Sequence, residues 1–341
     1  MKIITADPDR LKTSNVFFEA GSFKYVVDAS WIKWPDEAKG YDCLCVNFVG
    51  ENLYVATSCK KHPICVFDKD GNFVRSFGQG LFDRPHSLGT TKNGTFLVAD
   101  SGNALHTVQE ITEQGEVVRE FGTRGVPSDT GYDPDAYRKL VQSGKISEEE
   151  QRTHIVNNTS FYYELDTITR LGRPFNRPCC MQQALTGEYF AADGYGNCAV
   201  HKFDKDGRYV KSWGGAGHES PNDFYLPHWV NIDKYNRVWV SDRENHRIHV
   251  YDIDGNQIAL LAGYTRQASS CSDDKYVYLG MLSGELAILD IDTLEEVAHF
   301  GFPGLNMFAF HSLCVNQRGD IVLSSIRGLR PIGNIICFNR Q

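Results

Sequence analysis

The stretch Leu226-Pro227-His228, continuing through Val230-Asn231-Ile232-Asp233 to Val238-Trp239-Val240-Ser241-Asp242-Arg243-Glu244-Asn245, reads as a strand, a tight hairpin, a second strand and a polar loop. An antiparallel return brings the loop back beside the opening of the first strand, so a histidine and an arginine share one end of the unit. Working outward, the same plan recurs. Aligned on this opening, units begin at Cys43, His86, Cys179, His228, Ala268 and His311, with offsets of 43, 93, 49, 40 and 43 residues. Each unit adds a third run, a hairpin and a fourth run. Examples of that hairpin are Phe67-Asp68-Lys69-Asp70-Gly71-Asn72, Phe203-Asp204-Lys205-Asp206-Gly207-Arg208 and Tyr251-Asp252-Ile253-Asp254-Gly255-Asn256.

Four short strands repeated about every 40 residues make propeller blades. The expected fold is all-β, a single six-bladed β-propeller over residues 1–341. Residues Lys24-Tyr25-Val26-Val27-Asp28 are expected to complete the last blade. The Asp-x-Asp-Gly runs are read as turns and not as calcium loops, because the later ligands of such a loop are missing. The long offset carries an insertion, residues 123–177, expected to be mostly helical. Pro134–Val141 and Ile146–Arg152 have helical character, and Ser147 and Glu150 are spaced as a capping box.

Composition narrows the function. Thirty-five basic against 43 acidic residues give a net charge of -8, and no run of Lys and Arg interleaves with aromatics, which argues against a nucleic-acid partner. No apolar run approaches the roughly 18 residues of a membrane span, and the start lacks the apolar core of a secretion signal. Ten irregularly spaced cysteines in a chain of this size suit free thiols in a reducing compartment, so a cytoplasmic protein acting on a small molecule is expected.

Three of the six openers, His86, His228 and His311, belong to alternate blades. Alternate blades of a six-membered ring stand about 120° apart, so three imidazoles are expected to converge on the axis and hold one divalent metal ion. Zinc fits best; iron, manganese and copper also accept such a site. The plainer reading, three unrelated packed histidines, does not account for their equivalent positions.

Taken together, Arg84-Pro85-His86-Ser87-Leu88, Phe175-Asn176-Arg177-Pro178, Ala192-Asp193-Gly194-Tyr195-Gly196-Asn197, Leu226-Pro227-His228 and Ser241-Asp242-Arg243-Glu244-Asn245 resemble NHL-repeat propellers, and more closely the bacterial relatives of peptidylglycine α-hydroxyglycine α-amidating lyase. The resemblance covers most of the chain from about Lys24 onward, apart from the insertion and a weak blade five. It implies a metal-dependent lyase that cleaves the C–N bond of a carbinolamide to an amide and glyoxylate. Within it His86, His228 and His311 hold zinc, Tyr195 acts as base, and Arg243 binds the substrate carboxylate. Two positions depart from the family pattern. Cys59, followed by Lys60, stands where the relatives carry an arginine, and lysine lacks the planar fork that grips a carboxylate. Ser312 stands where they carry an aspartate associated with calcium, so calcium does not carry over.

Cys59, Lys60, His106 and Cys179 complete the candidate residues around the substrate. Cys179 opens blade three beside the histidines, where a thiolate could serve as ligand or nucleophile, although an inert buried thiol is the plainer reading. Two other functions remain open. One is a non-enzymatic NHL module that binds a partner on its rim. The other is a lactonase-type propeller hydrolase, which would place acidic and amide calcium ligands at the axis.

Overall fold

A computed structural model describes residues 4–5, 16–157, 159–302, 309–326 and 334–341. Six antiparallel sheets follow one another around an axis, each with its first strand innermost. The second strands are Asn52–Thr57, Phe96–Ala99, Tyr189–Asp193, Val238–Asp242, Tyr276–Met281 and Ile321–Ser325, and every residue in them but Asn52 and Tyr276 is buried. Both faces of such a strand pack against neighbouring blades, which is why these runs are continuously hydrophobic and not alternating. Outer strands meet water on one face, and Gln257–Ala262 accordingly has no buried residue.

The blades form as the periodicity implies. Their hairpins are turns in which the leading aspartate is spent on its own backbone. Asp68 accepts the N–H groups of Asp70 and Asn72, Asp204 those of Asp206 and Arg208, and Asp252 those of Asp254 and Asn256. The ring closes through the N-terminal segment. Phe23–Asp28 pairs antiparallel with Ile335–Arg340 as the outer strand of blade six, and Val16–Ala20 adds a fifth strand beyond it. The parallel pairing of Ile4–Thr5 with the outer strand of blade five was not anticipated.

Among the described residues the insertion carries three helices, α1 (Ala136–Gln142), α2 (Glu148–Asn157) and α3 (Tyr162–Leu165). The capping box at the start of α2 is present, with Ser147 N–H donating to Glu150 Oε2 at 2.8 Å and Glu150 N–H to Ser147 Oγ at 3.2 Å. The segment is tied to the blade-three loop: Thr130 Oγ1 donates to Gly196 O at 2.6 Å, and Gly172 and Asn197 exchange two hydrogen bonds. Further along the inner strands, away from their openings, the axis widens into a cavity of about 390 Å³ reached by Asn47, Thr90, Gln182, Asn231, Ser270 and Leu313.

Candidate metal centre

Four inner strands enter their blades through an irregular step. Pairing slips between Cys43 and Cys45, Pro227 and Trp229, Gln267 and Ser269, and Phe310 and Ser312. In blades two and three the matching residues sit just ahead of the strand, where His86 N–H donates to Ala99 O and Cys179 N–H to Ala192 O. A bulged residue leaves the strand's alternation, and its side chain is re-aimed. The six residues at this step are Leu44, His86, Cys179, His228, Ala268 and His311. Blade one therefore opens at Leu44 and not at Cys43, because the extra residue of a bulge leaves no trace in hydrophobic periodicity.

The segments leading into three of these steps are held by one repeated device. The carboxylate ending the second strand accepts the N–H of the residue three before the step: Asp100 from Asp83 at 2.7 Å, Asp193 from Asn176 at 2.9 Å, and Asp242 from Tyr225 at 2.7 Å. Side-chain direction at the axis is thus fixed by buried charge-assisted hydrogen bonds.

The even blades bring three imidazoles together. Ring centroids lie 4.8 Å apart for His86 and His228, 4.7 Å for His86 and His311, and 4.9 Å for His228 and His311, all edge to face. The odd blades supply backbone carbonyls. His86 Nδ1 lies 2.7 Å from Cys179 O, His228 Nδ1 2.6 Å from Ala268 O, and His311 Nδ1 2.7 Å from Leu44 O. A carbonyl only accepts, so Nδ1 carries the proton in each ring and Nε2 keeps its lone pair. Burial is the main force keeping these rings neutral. It pushes His311 down to about 3, and His86 and His228 well below their ordinary value.

Tyr195 reaches this cluster from the blade-three loop, with its hydroxyl 3.2 Å from both His86 Nε2 and His228 Nε2. Gly194 permits the approach: a Cβ there would stand 2.2 Å from Pro227 O. One phenolic proton cannot satisfy two lone pairs, and among the described residues only His86 and His228 share it. Three neutral imidazoles therefore gather on the axis with a single phenolic donor shared between two of them, an arrangement that suits a cation. One ring nitrogen from each histidine lies within 4.8 Å of the other two. At that outer limit the centre is about 2.8 Å from each nitrogen, so a shift of under ~1 Å gives a zinc–imidazole bond of roughly 2.0–2.1 Å. The three buried histidines could hold a metal ion.

Arg243 is buried, with Nε donating to Glu244 Oε1 at 2.7 Å, Nη1 lying 3.5 Å from the Tyr195 hydroxyl, and its guanidinium 5.7 Å from the Tyr195 ring centroid. Burial opposes its charge, but Glu244 and Tyr195 outweigh burial and hold it above its usual value. Arg177, quoted above within a motif but not singled out, stands 5.5 Å from the same ring. Its signal in the sequence was the recurrence of Arg-Pro just ahead of an opener, at Arg84-Pro85 and Arg177-Pro178.

The other candidates are placed differently. Cys179 is buried, its thiol pushed up to about 12 mainly by burial, and it meets the site through its carbonyl. Cys59 is buried with Sγ toward Glu37 O, while Lys60 lies exposed against Asp83. His106, at φ 53°, has its Nε2 on Asn103 O, and burial lowers its pKa. None of these last three side chains hydrogen-bonds to the histidines, Tyr195 or Arg243.

Fold and site together define a six-bladed propeller with a trigonal histidine cluster on its axis. The NHL repeat family profile matches residues 224–251, the blade-four stretch that carries His228 and Arg243. The chain is 26% identical over 240 residues to human NHL repeat-containing protein 3, covering 67% of this chain and 57% of that protein. It is 27% identical over 191 residues to the probable peptidyl-alpha-hydroxyglycine alpha-amidating lyase of Caenorhabditis elegans, covering 55% and 42%. The chain thus spans about half the length of the curated relatives it matches. Among solved structures, a streptogramin B lyase aligns with a TM-score of 0.57 at 11% identity, over 95% of this chain and 100% of that one, a likeness of fold. No helix among the described residues is long and apolar enough to cross a membrane.

Proposed function

We propose that this propeller is a metal-dependent lyase acting on a small hydroxylated, carbinolamide-like substrate at the axial mouth. The observation that carries the reading is the convergence of three neutral imidazoles, one ring nitrogen from each lying within 4.8 Å of the other two. His86, His228 and His311 would hold the ion, with zinc favoured by a three-nitrogen donor set that leaves positions open. When bound, the ion would supply Lewis-acid stabilisation to the substrate oxygen that gains charge.

The chain's own groups account for the proton. Acting in its ionised form, Tyr195 takes it from the substrate hydroxyl, the freed oxygen pair forms the carbonyl of glyoxylate as the C–N bonding pair leaves with the amide nitrogen, and that nitrogen receives the proton from Tyr195, so the step is proton-neutral and returns the ionised tyrosine. Arg243, fixed by Glu244, presents positive charge beside Tyr195 and orients a polar or anionic substrate group. All ten cysteines are free, which suits a reducing, cytoplasmic setting.

The test pairs elemental analysis with turnover of α-hydroxyhippurate to benzamide and glyoxylate. Expected are about one divalent ion per chain in wild type and in Tyr195→Phe, with kcat lower in the variant by roughly 10²–10⁴-fold, the usual worth of a general acid–base. A wild-type chain that takes up no zinc on dialysis, or that leaves the carbinolamide intact, refutes the proposal.

A further inference from the structure

The blade-one loop offers Lys60, whose ammonium is taken up by Asp83 at 3.2 Å, and Lys61, paired with Glu37 at 3.4 Å. Two guanidinium groups instead come from the segments entering blades two and three. Arg84, two residues before His86, is exposed, and its side chain makes no hydrogen bond or ion pair among the described residues. Its main chain is fixed, with N–H on Asp100 and the carbonyl accepting from Ser101 N–H at 3.0 Å. Arg177, two residues before Cys179, donates from Nε to Ser101 O at 3.0 Å, so both arginines are registered on the same residue.

Arg177 takes φ of 61°, a conformation uncommon for a residue with a side chain. The insertion compensates. Arg177 Nη1 donates to the Tyr132 hydroxyl, and that hydroxyl donates to Glu164 Oε2 at 2.9 Å on α3. From the same helix Tyr162 donates to Glu244 Oε2, the carboxylate that fixes Arg243, and the neighbouring Phe161 ring lies 5.8 Å from the Arg243 guanidinium. One short helix therefore sets the arginines on both sides of Tyr195.

We infer that Arg84 and Arg177 form an anion-binding subsite at the mouth, and that the 123–177 insertion is a positioning element that holds Arg177 there for a small ligand bearing a carboxylate. The inference deepens the lyase reading, since it names what part of the substrate is gripped and by which side chains. It also gives the unpaired Arg84 a role. Tyr132 acts only through Arg177.

The experiment is calorimetric binding of hippurate and its uncharged counterpart hippuramide to the full-length protein, with zinc content measured in parallel. Wild type is expected to prefer hippurate by about tenfold or more, the worth of charge-assisted hydrogen bonds. Arg84→Met and Arg177→Met should each lose most of that preference, and Tyr132→Phe part of it. Hippuramide affinity and zinc content should stay unchanged, which loss of fold would not produce. The inference is overturned if wild type does not distinguish the two probes, or if the Arg84→Met/Arg177→Met double variant still does. Should wild type prefer hippurate through these arginines yet leave α-hydroxyhippurate intact, the lyase reading fails and the subsite stands.

Discussion

Even and odd blades of this ring perform the same backbone manoeuvre and contribute opposite chemistry. At the opening of the inner strand, blades two, four and six place an imidazole, whereas blades five, one and three place a carbonyl against the imidazole's outer nitrogen. A sixfold scaffold thereby becomes a threefold site. Only three side chains need to be histidine, because their orientation and tautomer are supplied by the main chain of the next blade, whatever residue stands there. The even positions should thus be chemically specific and the odd ones tolerant.

The strongest break in the pattern is His228→Ala. A hydrogen-bond partner behind a metal ligand is typically worth 10–100-fold in affinity. Loss of the ligand itself should therefore exceed about a hundredfold, taking zinc from about one per chain to below ~0.1 after dialysis. Circular dichroism and the thermal transition should change little, since the blade is held by its ladders. Retention of stoichiometric zinc by this variant would remove the trigonal site from consideration.

A smaller effect contrasts two loops at equivalent places after the second strand. In blade one the Lys60–Asp83 pair is open, with side chains 67% and 38% exposed, and Lys60→Ala should alter stability by less than about 1 kcal/mol. In blade four, Glu244 lies among Arg243, Arg266 and Tyr162 at 8% exposure. Burial works to raise its pKa, but the two arginines and the tyrosine outweigh burial and lower it from 4.5 to about 2. A depressed carboxylate contributes stability that is present above its unfolded value and lost as the pH falls through its folded value. The gap of about 2.5 units corresponds to roughly 3 kcal/mol at 1.36 kcal/mol per unit. Glu244→Gln should be destabilised by about that amount at pH 7, with the difference from wild type shrinking between pH 4.5 and 2. Urea midpoints along a pH series check this, and a difference that does not change with pH would show that Glu244 is not the charged partner of these arginines.

Much of this arrangement was legible in the sequence, for a physical reason. Strand burial in a propeller repeats every 40-odd residues, so the six blades and the positions of His86, His228 and His311 follow from spacing. The one-residue offset at Leu44 escaped, because a bulge adds a residue without changing the pattern of apolar side chains. The helical character of Ala136–Gln142 and Glu148–Asn157 was visible through periodicity and the Ser147–Glu150 box, but α3, only four residues long, was not. Arg177 was hidden by distance. Its partners Tyr132 and Glu164 lie 45 and 13 residues away, and no local rule joins them. His106 and Lys60 fall in the loop class that lines the mouth, but each settles on a nearby carbonyl or carboxylate.

The smallest expected effect bears most directly on the even–odd contrast. Cys179 is the odd-blade residue nearest in type to a metal ligand, and a thiolate at that level would make the site four-sided. Its thiol is fully buried and pushed up to about 12, while its carbonyl accepts from His86. Cys179→Ala leaves that carbonyl in place. Zinc affinity should remain within about threefold, and the stability cost should be near 1 kcal/mol, the scale of a small core truncation. The carbonyl accounts for the whole contribution of blade three's inner strand to the ion only if this variant holds zinc as wild type does. A tenfold loss would instead make the odd blades partners in ligation, and the alternation would no longer explain why three histidines suffice.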